Sequence, residues 1–466
     1  MKKLLLLLTL VVSVFAIAGC SKSTTENTGT NITTANGTSA PTTTVQAGTI
    51  KVWVGAESQA FYTQKLADYK VYYQEQNGVA FPHNFLVEAV DTGSAAGIFL
   101  NDTEQGADIF TAAHDNLGRL IAGSSAVMPV LTPALQAQIQ NDNPEMFQNV
   151  IKGILSDQEF TFAVPYVAQS LVLYYNKAYI DETQVQTWEG ILEAATTAGK
   201  KALALSGTDG FNNSFVLLAR EDGTKETSLR LYEDGILENT FGTGDDTIAK
   251  LKWGQDFFTH PNGVVSSSST AWEVQLQNES TIAFIGGAWH FESAQDSLGN
   301  NLGVAVLPKF TITESQAYGE VEAGTVFQSG SFYDTKAFFM KKGSAYQPYL
   351  EDILLYLTSK DVQEESFEVA NNLPTYKNAL DEFAAFQEDT IEIQLAKMQL
   401  QMAEFSIPQP FGASSKFNTY YYQKGAPDLI LEILENTGGN YSTHAQILQQ
   451  MQYVETIWKT GVNEKP

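Results

Sequence analysis

The residue most sharply placed for chemistry is the single cysteine of this 466-residue chain, Cys20. Lys2 and Lys3 open the sequence, an apolar run follows from Leu4 to Ala18, and the small residues Ala18 and Gly19 stand directly before the thiol. The run suits the core of a secretory signal and is short for a membrane span, which takes roughly 20 apolar residues. An isolated buried cysteine fits poorly, because the residues beyond it are uniformly polar. A lone cysteine leaves no partner thiol for a disulfide within the chain and no cysteine cluster for a metal. The five histidines are scattered without metal-ligand spacing. The sequence has no Gly-x-Ser-x-Gly elbow, no Walker loop and no Gly-x-Gly-x-x-Gly after a strand. Its 53 acidic residues could include the carboxylate pair of a glycoside hydrolase, but any chain this acidic contains such pairs.

The elements that position the remaining candidates begin after a tether. From Ser21 to about Val45 the chain is Ser, Thr, Asn and Gly, too polar to offset the entropy of ordering, so 21–46 is expected to be flexible. Thr49 to Val54 is the first strand-like run, which starts the folded body near Ala47. The body exceeds the size of one compact core and is expected to form two lobes. A net charge of −26 repels phosphate backbones and anionic lipid, which excludes nucleic acid and favours a neutral ligand. No second apolar run is long enough to span a membrane.

Tyr62, Leu66, Tyr69 and Tyr73 recur at helical spacing, and Asn77-Gly78 closes that helix. Phe85-Leu86-Val87, Ala107 to Phe110, Phe160 to Pro165 and Ser170 to Tyr175 read as strands. This βαβ rhythm predicts a largely parallel sheet covered on both faces. Thr187 and Ser359 are expected to cap helices, and a last helix runs from Ala426 with Leu429, Ile430, Ile433 and Leu434 on one face.

Ile17-Ala18-Gly19-Cys20 resembles a bacterial lipobox, which implies cleavage before Cys20 and acylation of its thiol. Further along, five passages in order resemble the extracellular solute-binding proteins of the maltose and maltodextrin type. They are Ala107 to Gly118 with its Ala-His-Asp turn; Pro165-Tyr166 with Tyr174-Tyr175-Asn176-Lys177; Ile282 to Trp289; Gly303 to Pro308; and Ile407-Pro408-Gln409-Pro410. The resemblance implies a two-lobe α/β fold of the periplasmic-binding-protein type (type II), with a ligand cleft that closes by hinge bending. It places 47–169 and 325–373 in one lobe and 170–324 and 374–466 in the other. The implied role is capture of an oligosaccharide, maltodextrin first, for the permease subunits of an ABC transporter. It further implies a monomer with no cofactor and no catalysis, anchored by lipid at the extracellular face.

A sugar asks for planar polar groups at its hydroxyls and a flat aromatic under its apolar face. The resemblance marks Asp115, Gln169 and Asp209 for the first task and Phe211, Trp289 and Phe417 for the second. Asp115 follows a strand at its carboxyl end, where open sheets bind ligands, though it could instead cap a helix. Its neighbour His114 is expected to make a buried structural hydrogen bond. Gln169 stands where the family commonly carries Glu, and Asp209-Gly210 also reads as an ordinary turn. Trp289 follows two glycines that leave room for an open ring; a core Trp is the other reading. Tyr420 or Tyr421 could replace Phe417. Ala112 takes the place of a family aromatic and Ser58 that of a basic residue, leaving Glu57 to accept a hydroxyl there. These departures leave another sugar open, and a lipid-anchored glycoside hydrolase is the alternative from another class. A purely structural surface lipoprotein would account for the anchor and tether but not the aromatics.

Overall fold

The computed structural model describes residues 47–207, 210–224, 244–267, 271–379, 382, 390–408 and 426–462. Thr49–Val54 pairs in parallel with Asn84–Ala89 and with Ile109–Ala113. Helix Gln59–Asn77 connects the first two strands and ends at Gly78, whose φ of 69° is a left-handed conformation that glycine adopts without penalty. Phe332–Met340 lies antiparallel to both Ile109–Ala113 and Ala163–Ser170, and Ile407–Pro408 pairs in parallel with its start. A second sheet runs in the order Val264–Ser267, Leu203–Ser206, Ala283–Gly286, Val172–Asn176 and Leu302–Ala305.

Each sheet builds its own core. Ile50, Val52, Tyr62, Phe110 and Phe338 belong to the first, and Leu173, Tyr174, Trp188, Phe257 and Phe284 to the second. A smaller cluster of Phe147, Ala168, Tyr333 and Tyr376 has members from strands at the crossing. The chain passes from the first sheet to the second across one residue, Leu171, which is fully buried. Ser170 fixes that passage by donating its hydroxyl to Gln399 O at 2.9 Å.

The parallel sheet expected from the βαβ rhythm is mixed in both cases, and the reason is directional. In each sheet the strands of the βαβ units run toward one edge. Val172–Asn176 and Phe332–Met340 enter from the other sheet at that edge, so they run the opposite way. Hydrophobic pattern reports burial, not direction, and so could not separate them. On the return path, Val326–Gln328 pairs with Lys309–Thr311 and Arg220–Glu221, and Phe327 belongs to the second core. Ser329 and Ser331 are then fully buried, and a Cβ on Gly330 would run into Leu218 O and Phe405 O. Only glycine allows those backbones to approach so closely.

Local signals hold at Thr187, whose hydroxyl accepts from Gly190 N–H at 3.1 Å to cap Trp188–Ala198. Ser359 occupies the cap position of Lys360–Ala370 without a side-chain cap bond. Trp188 itself is fully buried and donates Nε1–H to Ser329 Oγ at 2.9 Å, tying its helix to the return path. Trp188→Ala should therefore cost about 3–5 kcal/mol, from lost burial, a cavity and an orphaned hydroxyl. Urea unfolding at unchanged slope measures it, and a loss below about 1 kcal/mol would show that the site collapses around the missing ring.

Candidate ligand-binding site

In the first sheet the candidate residues gather beyond the carboxyl ends of the parallel strands. Thr49–Val54 leads through Gly55 into a short 3-10 turn, Ala56–Ser58, that carries Glu57. Ile109–Ala113 leads into another, His114–Asn116, that carries Asp115. Ala163–Ser170 ends with Gln169, which lies directly across the ladder from Asp334. Open α/β sheets place ligands at this edge because loops and helix starts converge there.

Glu57 accepts a hydrogen bond from Lys336 Nζ at 2.9 Å, and the ammonium is almost entirely buried. Burial alone would raise the Glu57 carboxyl, but the charge and hydrogen bond of Lys336 outweigh it and hold the group below its ordinary value. Lys336 thus supplies a cation at the first loop, where the sequence had only Ser58. Ser58 is itself buried and accepts from Asn372 Nδ2 at 3.1 Å, a structural role. The signal for Lys336 was present: Asp334 and Lys336 sit two apart in an otherwise mostly apolar strand, so both project from one face. Asp334 meets the fully buried His114, which makes the structural hydrogen bond expected of it.

Asp115 does not cap a helix with its side chain. The cap position of Leu117–Ile121 is Asn116, and no side-chain cap bond forms. Asp115 Oδ1 instead accepts from Asn116 Nδ2 at 2.8 Å, and its charge opposes the burial that lowers Arg119. Gln169 is buried, and its side chain makes no hydrogen bond among the described residues.

In the second sheet Phe211 and Trp289 come together, their ring centroids 6.1 Å apart. Phe211 follows Leu203–Ser206 and is held by the turn Asn212–Phe215, where Asn213 Nδ2 donates to Gly207 O at 2.7 Å. Its ring also stacks on Phe332 at 6.2 Å, the first residue of the strand that returns to the other sheet. Trp289 follows Ala283–Gly286 and is 41% exposed, so it is not a core residue. A Cβ on Gly287 would run into its indole, which accounts for the glycine before it. Tyr174 donates to Gly287 O at 2.9 Å and fixes that backbone. Asp209, Phe417, Tyr420, Tyr421 and Cys20 lie outside the described residues.

Two residues beside Trp289 escaped sequence reasoning. Trp272 stacks on Phe284 at 3.9 Å, and His290 meets Trp272 edge-on at 4.9 Å. Burial pushes the His290 pKa down to about 4, so the ring is neutral near pH 7. Adjacency to Trp289 was the available signal for His290; Trp272 had none.

Two sheets with separate cores, joined by crossing strands and presenting polar and aromatic groups at their carboxyl edges, define a two-lobe binding-protein fold. The chain belongs to the bacterial extracellular solute-binding proteins, whose family pattern matches residues 68–392. Its fold is similar to that of a maltodextrin-binding protein from L. casei BL23 without ligand, at 18% identity and a TM-score of 0.65, covering 88% of this chain and 99% of that one. A cyclo/maltodextrin-binding protein complexed with maltotetraose is similar at 16% identity and a TM-score of 0.65, covering 90% of this chain and 98% of that one. The GacH receptor of Streptomyces glaucescens GLA.O, described with acarbose, is similar at 15% identity and a TM-score of 0.65, covering 91% and 100%. No curated protein sequence matches the chain.

The Glu57–Lys336 pair gives a signed prediction. A carboxylate whose folded pKa is depressed contributes stability above its unfolded value, near 4.5, and loses it as pH falls through the folded value. Wild type should exceed Glu57→Gln in stability most above about pH 5, and the gap should close toward about pH 3. Urea melts across that range measure the gap, and a gap that does not change with pH would remove Lys336 as the cause.

Proposed function

We propose that the protein captures an oligosaccharide outside the cell and delivers it to the permease subunits of an ABC importer, held at the membrane by lipid on Cys20. The observation that carries this reading is Trp289, an indole left 41% exposed at the carboxyl edge of its sheet with Phe211 beside it. An open aromatic face suits the apolar side of a pyranose. Glu57, Asp115 and Gln169 offer planar groups to hydroxyls from the other lobe. Asp209 and Phe417, which lie outside the described residues, remain candidates for a hydroxyl contact and a ring face respectively. The sugar-bound relatives of similar fold, one with maltotetraose and one with acarbose, support the ligand class. Maltodextrin is the first candidate and other oligosaccharides follow.

The lobes divide as expected from the sequence, 47–169 with 325–373 and 170–324 with 374–466, with the return shifted past Val326–Gln328, since Phe327 belongs to the second core. A sugar that touches both lobes favours the closed arrangement and shifts the population toward it. The closed protein then docks on the permease, as a monomer and without breaking a bond in its cargo. Calorimetric titration with maltose through maltoheptaose, with the same samples assayed for cleavage, tests this. Saturable binding without products supports it; cleavage would replace it with a hydrolase, and silence with every glucan would move the ligand to another sugar class.

Trp289→Ala should weaken the tightest glucan by about 2 kcal/mol or more while leaving the unfolding midpoint nearly unchanged, since the ring is exposed rather than core. Unchanged affinity in the folded variant would remove Trp289 from the site.

A further inference from the structure

Beside Trp289 a recess of about 130 Å³ opens at the carboxyl ends of Leu203–Ser206 and Ala283–Gly286. Trp289, Trp272, Ile285 and His290 wall it, with Ser206 and Asn212 adding polar groups. Its shape is fixed: Trp272 is held by its stack on Phe284, and His290 is held edge-on to Trp272. A Cβ on Gly286 would lie 2.5 Å from His290 Nδ1, so the imidazole rests directly on that backbone.

Three observations say what the recess suits. At about 30 Å³ per water it has room for about four waters, well below the 300–1,000 Å³ of pockets that enclose a whole ligand, so it takes a substituent and not a ring. No cation lines it among the described residues, and burial keeps His290 neutral, so an anionic substituent would lose its hydration without compensation. His290 lines the recess while its Nδ1 is turned onto Gly286, shut off from solvent and without a hydrogen-bond partner among the described residues, so Nε2 is the nitrogen left to meet a ligand hydroxyl.

We propose that this recess is a specificity subsite that takes the uncharged hydroxymethyl group of the sugar ring lying on Trp289, with His290 hydrogen-bonding its hydroxyl. The inference rests on the sugar-binding reading above and deepens it. The indole holds the ring face, while the recess inspects the one exocyclic carbon that distinguishes a hexopyranose from a pentopyranose or a uronic acid. Its aromatic walls accept the methylene and the imidazole the hydroxyl.

The test is a cycle of two ligands and three proteins, read by calorimetry. The ligands are maltotriose and a maltotriose whose 6-hydroxyls are replaced by hydrogen. The proteins are wild type, His290→Phe, which keeps a planar ring without nitrogen, and His290→Gln, which keeps hydrogen-bonding capacity. Wild type should prefer maltotriose by about tenfold, His290→Phe should lose most of that preference, and His290→Gln should keep part of it. A maltotriose carboxylated at the same carbon should bind wild type at least about tenfold more weakly than maltotriose. A preference that survives intact in a folded His290→Phe overturns the subsite and leaves the sugar-binding reading standing. Failure of wild type to bind either neutral ligand overturns both.

Discussion

The direction in which strands cross between the two sheets is the constraint on which the rest of this structure depends. The chain leaves the first sheet through one buried residue, Leu171, and re-enters it through Gly330, caught between Leu218 O and Phe405 O. Strands that enter by these routes run away from the crossing, so the βαβ strands beside them run toward it. Their carboxyl ends, with the 3-10 turns that follow, then open on the crossing side in both sheets. Glu57, Asp115 and Gln169 on one sheet and Phe211 and Trp289 on the other inherit their places from that single choice. Phe332 shows how close the coupling is, since one ring both begins the returning strand and stacks on Phe211.

Charge is handled differently at the site than over the chain. The protein carries −26 overall, yet the site pairs Glu57 with the buried Lys336 and keeps His290 uncharged by burial. A surface that acidic gives no long-range attraction to an anion, and the recess beside Trp289 gives no local one. What remains attractive is a neutral, polyhydroxylated surface with one apolar face.

The sequence made the elements legible wherever a local rule fixed them. Gly78 ends its helix because the chain there needs a positive φ, and Thr187 caps its helix through a bond of three residues' reach. Trp289 was legible because two glycines at the strand end, one residue short of the aromatic, clear the space that an open ring needs. Strand direction was not, because period-two or continuous apolar runs report burial without polarity. Lys336 was missed for a related reason: it reaches Glu57 from 279 positions away, and only the fold brings them together. His290 escaped because a histidine after a strand end is equally compatible with a satisfied core, and Trp272, on helix Ala271–Gln277, because a helical tryptophan reads the same way.

Magnitudes decide how the parts share the work. A neutral hydrogen bond exchanged with water nets about 1 kcal/mol, because water serves a hydroxyl nearly as well. An aromatic anchor at the centre of a site is worth about 2 kcal/mol or more, because water offers no substitute for its surface. On the proposed reading, the open Trp289–Phe211 pair sets whether a sugar is held at all. The polar groups set which sugar, since an unmatched hydroxyl or an added charge leaves a buried atom unpaired at a cost of about 1–3 kcal/mol. On that reading affinity and identity reside on different residues of one shelf, and the close approach of His290 to Gly286 and of the Trp289 ring to Gly287, which a Cβ would block, sets the two side by side.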